Sequence, residues 1–162
     1  MRRTLKLLAT LLLVCNCSSD HGASSPHLPA LDRPVAEQVV LRADDARRDA
    51  LMAADPAGLT ALFRGRALQM LQAQVQAMRQ RGLRLEERDS SRTLVFWDPR
   101  AQEVVLQVEA QRRLVTPDDA DPAWTATVWQ AWSRLDYVDG AWWIVDDADL
   151  TPDRWRPVPS ST

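Results

Sequence analysis

The residues able to do acid–base chemistry are few in this chain. Its two histidines, His21 and His27, lie in a Ser- and Pro-rich stretch near the N-terminus. General acid–base catalysis needs a positioned pair of titratable groups with tuned pKa values. The remaining candidates for proton transfer are Glu103, Glu109, Asp136 and the single tyrosine, Tyr137. Tyr137, Trp142 and Glu109 are the candidate pocket residues, although Glu109 alternates with apolar neighbours and is expected to face solvent.

Other chemistry has weaker support in the sequence. Asp118, Asp119 and Asp121 form an acidic loop, but it lacks the ligand spacing and the glycine of an EF-hand, and a solvated loop is favoured. Neither a phosphate-binding glycine loop nor a nucleophile elbow is present, and no His-Glu-x-x-His helix is present. The sequence therefore predicts no metal, no cofactor and no enzymatic activity.

The elements that would position these residues begin with helices. Residues 18–34 are rich in Ser, Pro, Gly and Ala and are predicted to be a flexible tether. A helix is predicted from Val35, with Val39, Arg42, Ala46 and Ala50 on one face. Asp55-Pro56 starts a short helix, and a longer one is predicted from Arg66 to Arg81 before Gly82. Its apolar stripe consists of Leu68, Leu71, Val75 and Met78.

After Gly82 the apolar period changes from helical to two, which predicts strands. Two short strands are predicted at 83–88 and 93–97. Long strands follow in "QEVVLQVEAQRRLV" and from Trp124 to Val138, and the last runs from Ala141 to Asp146. Asp139-Gly140 is a strong two-residue hairpin signal. The predicted class is α+β, with N-terminal helices packed on a strongly bent antiparallel sheet that forms a cone-like roll.

This order of elements resembles the nuclear transport factor 2-like superfamily. "ADPAGLTALFRGRALQML" is similar to the helical entry of that family, and "SRLDYVDGAWWIVD" is similar to its closing hairpin. Within it, residues 35–155 look closest to the domain of plastid-division proteins of the inner-envelope space and their bacterial relatives. Members of the superfamily include isomerases, dehydratases and cyclases that act in the cone. The resemblance thus implies an alternative, a small-ligand binder or enzyme that uses a cone pocket.

The predicted hairpin assigns its two adjacent tryptophans to opposite faces of the sheet. Val138 should pair with Ala141 and Tyr137 with Trp142, on the core side. Trp143 then falls on the other face, with Trp132 and Arg134. We interpret these three residues as a candidate interaction face for an envelope protein or a second copy of the chain. The alternative is that Arg134 stacks on Trp143 and that Trp155 and Val158 of the terminal segment cover the rest. Residues 156–162 are predicted to be a disordered tail.

The N-terminus carries a predicted export signal. Arg2, Arg3 and Lys6 precede an apolar run, Leu7–Val14, which is too short to span a membrane. Both cysteines follow that run, which resembles a bacterial lipoprotein signal over residues 1–17. Cys17 is the predicted lipid attachment residue, with Cys15 as the alternative. An ordinary cleaved secretory signal is the other interpretation, and it would release a secreted or periplasmic protein.

Net charge limits the partners of the exported chain. Removing residues 1–17 takes three of the 20 basic residues and no acid, leaving 17 against 22 acidic residues and a net charge of −5. That charge argues against nucleic acid and against anionic lipid surfaces as partners. We therefore predict a non-enzymatic binding domain, held by lipid alone at the outer face of the cytoplasmic membrane.

Overall fold

The computed structural model describes residues 29–150. Predictions about the leader, Cys15, Cys17 and residues 151–162 lie outside the described residues. The helical elements are α1 (Arg33–Ala53), a short 3₁₀-helix (Ala57–Ala61) and α2 (Gly65–Gln80). The strands are β1 (Arg84–Asp98), β2 (Glu103–Val115), β3 (Thr125–Val138) and β4 (Ala141–Asp149). The strands form one open antiparallel meander in the order β1-β2-β3-β4, so the α+β class is confirmed.

Helix α1 begins two residues earlier than its pattern predicted. The Asp32 side chain accepts a hydrogen bond of 2.9 Å from the Val35 backbone N–H, and this cap satisfies one of the free donors of the first turn. Leu31 is buried, and its carbonyl accepts a hydrogen bond from the Trp97 indole at 3.1 Å. The folded part of the chain therefore reaches back into the 18–34 stretch that was predicted to be a tether.

The buried face of α1 differs from the predicted one. Arg42 is exposed, so its placement on the apolar face was wrong. The apolar residues of α1 were too evenly spread for the stripe to be placed from spacing alone. The buried residues of α1 are Ala36, Val39, Val40, Ala43, Asp44, Ala50 and Leu51.

The segment before α2 contacts the sheet. Phe63 forms a parallel bridge with Ile144, flanked by hydrogen bonds of 3.0 Å from Ile144 N–H to Leu62 and 2.9 Å from Arg64 N–H to Ile144. Gly65 then starts α2 with a φ of 55°, a conformation that favours glycine. Phe63 is fully buried. Its bridge attaches the start of α2 to the free edge of β4, which is the edge that does not pair with β3.

Strand β1 is one strand where the sequence predicted two. Its pairing with β2 is continuous except for register shifts between Arg88 and Ser91 and between Leu94 and Phe96. Asp89 has a φ of 50° at the first shift, as in a β-bulge. The sequence predicted a gap between residues 88 and 93, whereas the chain continues as a strand with a bulge at Asp89.

The β3–β4 hairpin forms as predicted. Val138 pairs with Ala141, Tyr137 with Trp142, and Leu135 with Ile144. Asp139 and Gly140 both have positive φ, which a two-residue type I′ turn requires. Beyond Ile144 the register shifts by one residue at Val145, and β4 continues to Asp149. The sequence pattern predicted neither this register shift nor the extension of β4 over residues 147–149.

The core lies between the helices and one face of the sheet, here called the inner face. β1 and β2 contribute Leu94, Val104, Leu106 and Val108, and the hairpin contributes Leu135 and Ile144. These side chains pack against α1, the 3₁₀-helix and α2. The helices of the described residues 29–150 pack on this inner face and not on the other face of the sheet, here called the outer face.

Candidate functional site: a cavity between the helices and the sheet

A cavity of about 440 Å³ opens between α1, α2 and the inner face of β2, β3 and β4. Few contacts join α1 to α2, so the two helices leave this space between them. The cavity lies in the size range of small-molecule sites. Its walls include apolar side chains of both helices together with several charged side chains.

The charged side chains of α1 enter the cavity from apolar positions of the helix. Val40, Asp44, Arg47 and Leu51 follow one another at steps of three and four residues, which is the spacing of one helix face. Their side chains lie against the sheet because Ala36, Val39 and Ala43 bury that side of α1. Two ionisable groups thus occupy positions where an amphipathic helix normally places apolar residues.

Asp44 is a desolvated carboxylate. Its side chain is only 6% exposed, and its nearest cations are Nη1 of Arg92 at 3.5 Å and Nη1 of Arg47 at 3.9 Å. No hydrogen bond reaches this carboxylate from the described residues 29–150. Burial raises the pKa of Asp44, while the charges of Arg47 and Arg92 oppose the increase without cancelling it.

Arg47 links α1 to β4. Its Nη2 donates a hydrogen bond of 2.6 Å to Oδ2 of Asp147, and Oδ1 of Asp147 accepts one of 3.0 Å from Ser133. Within the described part of the chain, this is the single hydrogen bond of the Arg47 guanidinium, and its buried Nε has no partner. A guanidinium carries five N–H donors, so most of its donor capacity at this site is unused.

Arg112 supports the opposite wall. It occupies the inner-face position after Val108 and Ala110 in the alternation of β2. Its Nε lies 2.6 Å from Oε2 of Glu87, whose side chain is 2% exposed, and its guanidinium stacks 3.3 Å above the Trp129 ring. Burial lowers the pKa of Arg112, and the Glu87 carboxylate opposes that shift.

The predicted pocket residues do not line this cavity. Tyr137 and Trp142 meet edge to face, with ring centroids 5.3 Å apart, and Trp142 packs on the core. Glu109 is exposed on the outer face and accepts a hydrogen bond from Gln107 at 3.0 Å. The structure therefore separates Glu109 from the aromatic pair, which agrees with the alternation of its strand.

The predicted interaction residues do share the outer face. Trp132, Arg134 and Asp136 alternate along β3, and Trp143 pairs with Asp136. Arg64 covers the Trp143 ring at 3.6 Å, so the prediction that Arg134 stacks there was wrong. The Trp143 indole also donates to the Val138 carbonyl at 3.2 Å. Trp143 is thus held by contacts within the chain.

The apolar residues of the outer face form a second group, away from Trp143. Phe96, Val105 and Trp132 occupy adjacent positions on β1, β2 and β3 and form a row across the sheet. Phe96 is 48% exposed. Arg134 is exposed next to this row and forms no ion pair with any residue of the described range.

Sequence reasoning missed Asp44, Arg47, Arg112 and Asp147. For the first three, a usable signal exists: each is a charged residue at a position where the local period demands an apolar one. Asp147 gave no such signal. Strict alternation from Ile144 would direct Asp146 inward, whereas the shift at Val145 directs Asp147 inward instead.

Comparison with known proteins yields a structural likeness only. No protein-family model and no curated protein matches the chain. Among solved structures, the intermembrane-space region of the chloroplast protein ARC6 superposes with a TM-score of 0.59 at 15% sequence identity. The match covers 75% of this chain and 98% of that one. It shows a distant structural relationship, and at this identity it is evidence for the fold alone.

Two further properties bear on partners. In the described range, no helix is both long and apolar enough to cross a bilayer. Residues 29–150 also contain no group of three or more His, Cys, Asp or Glu side chains that could hold a metal ion.

Proposed function

We propose that this chain is a non-enzymatic binding domain of the bacterial cell envelope and that the cavity is its binding site. The observation that carries the proposal is the state of Asp44 and Arg47, two desolvated charged groups that line an open cavity and leave hydrogen-bonding capacity unused. Buried polar groups are normally satisfied, and exceptions concentrate at functional sites. A ligand would supply the missing partners.

The proposed location is the outer face of the cytoplasmic membrane, with Cys17, or alternatively Cys15, as the lipid attachment residue. The leader pattern supports this location, and the likeness to an intermembrane-space region of an envelope protein fits it. Membership of the nuclear transport factor 2-like superfamily is part of the same proposal. A secreted or periplasmic protein is the alternative, and mass spectrometry of the mature N-terminus distinguishes them by the presence or absence of a diacylglyceryl group.

We also propose that the outer face contacts an envelope protein or a second copy of the chain. Phe96, which is half exposed, and Trp132, which is partly exposed, support a contact there, with the exposed Arg134 beside them. The contribution of Trp143 would be indirect, through its stack with Arg64 and the hairpin.

An isomerase- or cyclase-like activity in the cavity is the second candidate function. The raised pKa of the Asp44 carboxyl favours it, because a general base is tuned in this direction. Turnover of a small molecule by the purified chain, lost in Asp44→Asn, would establish it in place of the binding function.

Crosslinking from the cavity mouth tests the binding function. Met70 lines the mouth and is half exposed, whereas the neighbouring Gln69 is exposed outside the lining. A photo-crosslinking amino acid at position 70 of the full chain, expressed in its own cells, should capture a ligand that mass spectrometry detects. The same group at position 69 should not capture it. Equal capture from both positions, or none from either, would exclude the cavity as the site.

A further inference from the structure

Asp44 and Arg47 present opposite charges to one small space. They lie on the same face of α1, and their side chains are 6% and 15% exposed. Oδ1 of Asp44 and Nη1 of Arg47 are 3.9 Å apart, which is too far for a direct hydrogen bond. The carboxylate therefore offers acceptors, and the guanidinium offers donors, at adjacent points of the cavity wall.

Neighbouring residues contact both groups. Asp147 accepts a hydrogen bond of 2.6 Å from the Arg47 guanidinium, and Ser133 donates one of 3.0 Å to Asp147. Arg92 lies beside Asp44 and donates a hydrogen bond of 2.6 Å to Asp45. Because the contact with Asp147 holds the Arg47 guanidinium before binding, a ligand would meet this group with little loss of side-chain freedom.

The rest of the cavity wall combines apolar and charged side chains, with Arg48, Arg112 and Asp149 among the charged ones. Its apolar part includes Leu51 of α1, Leu71 and Met70 of α2, and Ala131 and Trp129 of β3. A volume of about 440 Å³ leaves room for a side chain and for a small polar head group.

We propose that the cavity binds a small zwitterion with an apolar body, of the class of free α-amino acids with aliphatic or aromatic side chains. The ligand carboxylate accepts hydrogen bonds from Arg47, its ammonium group donates to Asp44, and its side chain contacts Leu71, Met70 and Trp129. A ligand with one charge would leave either the Asp44 carboxylate without a hydrogen bond or the free N–H groups of Arg47 without an acceptor. This inference rests on the proposed binding function and names its ligand class.

Titration calorimetry of the purified full chain with L-leucine and L-phenylalanine tests the inference. N-acetyl-L-leucine retains only the carboxylate, and L-leucinamide retains only the ammonium group. Each should bind at least about tenfold more weakly than L-leucine, because a charge-assisted hydrogen bond is lost. Asp44→Asn and Arg47→Gln should weaken L-leucine binding by a similar factor.

The surface substitution Met70→Arg keeps the test informative if those buried variants fail to fold. It should weaken L-leucine binding, and Gln69→Arg should leave it unchanged. The absence of binding by both amino acids, binding of either blocked derivative as tight as that of L-leucine, or L-leucine binding that is unchanged in Met70→Arg would each overturn the ligand class. If amino acids fail while position 70 still captures a ligand selectively, the proposed function stands and this inference falls alone.

Discussion

At the scale of single residues, the site is defined by ionisable groups whose surroundings do not neutralise them. Glu87 and Arg112 pair closely, so their burial is compensated. Asp44 has only the longer contacts with Arg47 and Arg92, and desolvation dominates its pKa. The difference between these two buried acids distinguishes a structural ion pair from a candidate binding group.

The raised pKa of Asp44 predicts a pH-dependent cost in stability. The folded state holds this proton more tightly than the unfolded state, whose pKa is near 3.8. The Asp44 carboxyl therefore contributes stability at pH values below 3.8, and this contribution is lost as pH rises through the raised pKa of the folded state. The Asp44→Asn variant should not show this loss. Its free energy of unfolding should therefore increase relative to that of wild type as pH rises.

Urea unfolding at several pH values between about 4 and 8 measures this difference. Asp49→Asn is the control, since its side chain is 70% exposed on the same helix. The change of Asp44→Asn relative to wild type as pH rises should exceed the change of Asp49→Asn. Equal pH dependence of the two variants would contradict the desolvation of Asp44.

At the scale of elements, the position of the cavity depends on where each helix begins and on what its first residues contact. The cap at Asp32 fixes the first turn of α1, and the bridge between Phe63 and Ile144 fixes the approach to α2. The cap is local, whereas the bridge joins residues that are distant in sequence, and the two together position the helices between which the cavity lies.

Removing the α1 cap should destabilise the fold. Asp32→Ala should lower the free energy of unfolding by about 1 kcal/mol, because the Val35 N–H loses its acceptor. Asp32→Ser should retain most of the stability, since a serine hydroxyl can accept the same bond. Chemical denaturation compares the three proteins. Equal loss in both variants would indicate that the cap hydrogen bond is not the cause.

The left-handed conformation at Gly65 makes a second prediction at this scale. Gly65→Ala should cost about 1–2 kcal/mol, because an L-residue is strained at a φ of 55°. Gly58→Ala is the matched control: nothing lies within 4 Å of its added methyl group, and its φ is not positive. The control should be neutral or slightly stabilising. Thermal or urea unfolding distinguishes them, and equal effects would refute the strain argument.

At the scale of the whole molecule, the sheet separates two surfaces of different composition. Its inner face forms the core and the cavity with the helices, and its outer face presents the row of Phe96, Val105 and Trp132. A ligand in the cavity and a protein on the outer face could therefore bind at the same time.

Two exposed apolar residues allow a matched test of the outer face. Phe96, in the row, is 48% exposed, and Leu114, near the end of β2, is 45% exposed. Phe96→Arg should reduce self-association or envelope crosslinking of the full chain, while Leu114→Arg should not, although both introduce the same charge. Sedimentation equilibrium and crosslinking in cells provide the measurements. Identical behaviour of the two variants would remove this face as an interaction surface.

Local sequence determined the class of fold and much of its register. The stripe of Leu71 and Val75 defined α2, and Asp139-Gly140 set the pairing of Tyr137 with Trp142, because the periodicity and turn chemistry that fix them act over a few residues. Tertiary structure alone decided the site. Asp44, Arg47, Arg112 and Asp147 meet only when helix and strands that are distant in sequence pack together, and a one-residue shift at Val145 selects which aspartate faces inward. Periodicity cannot supply either fact, since it describes one element at a time.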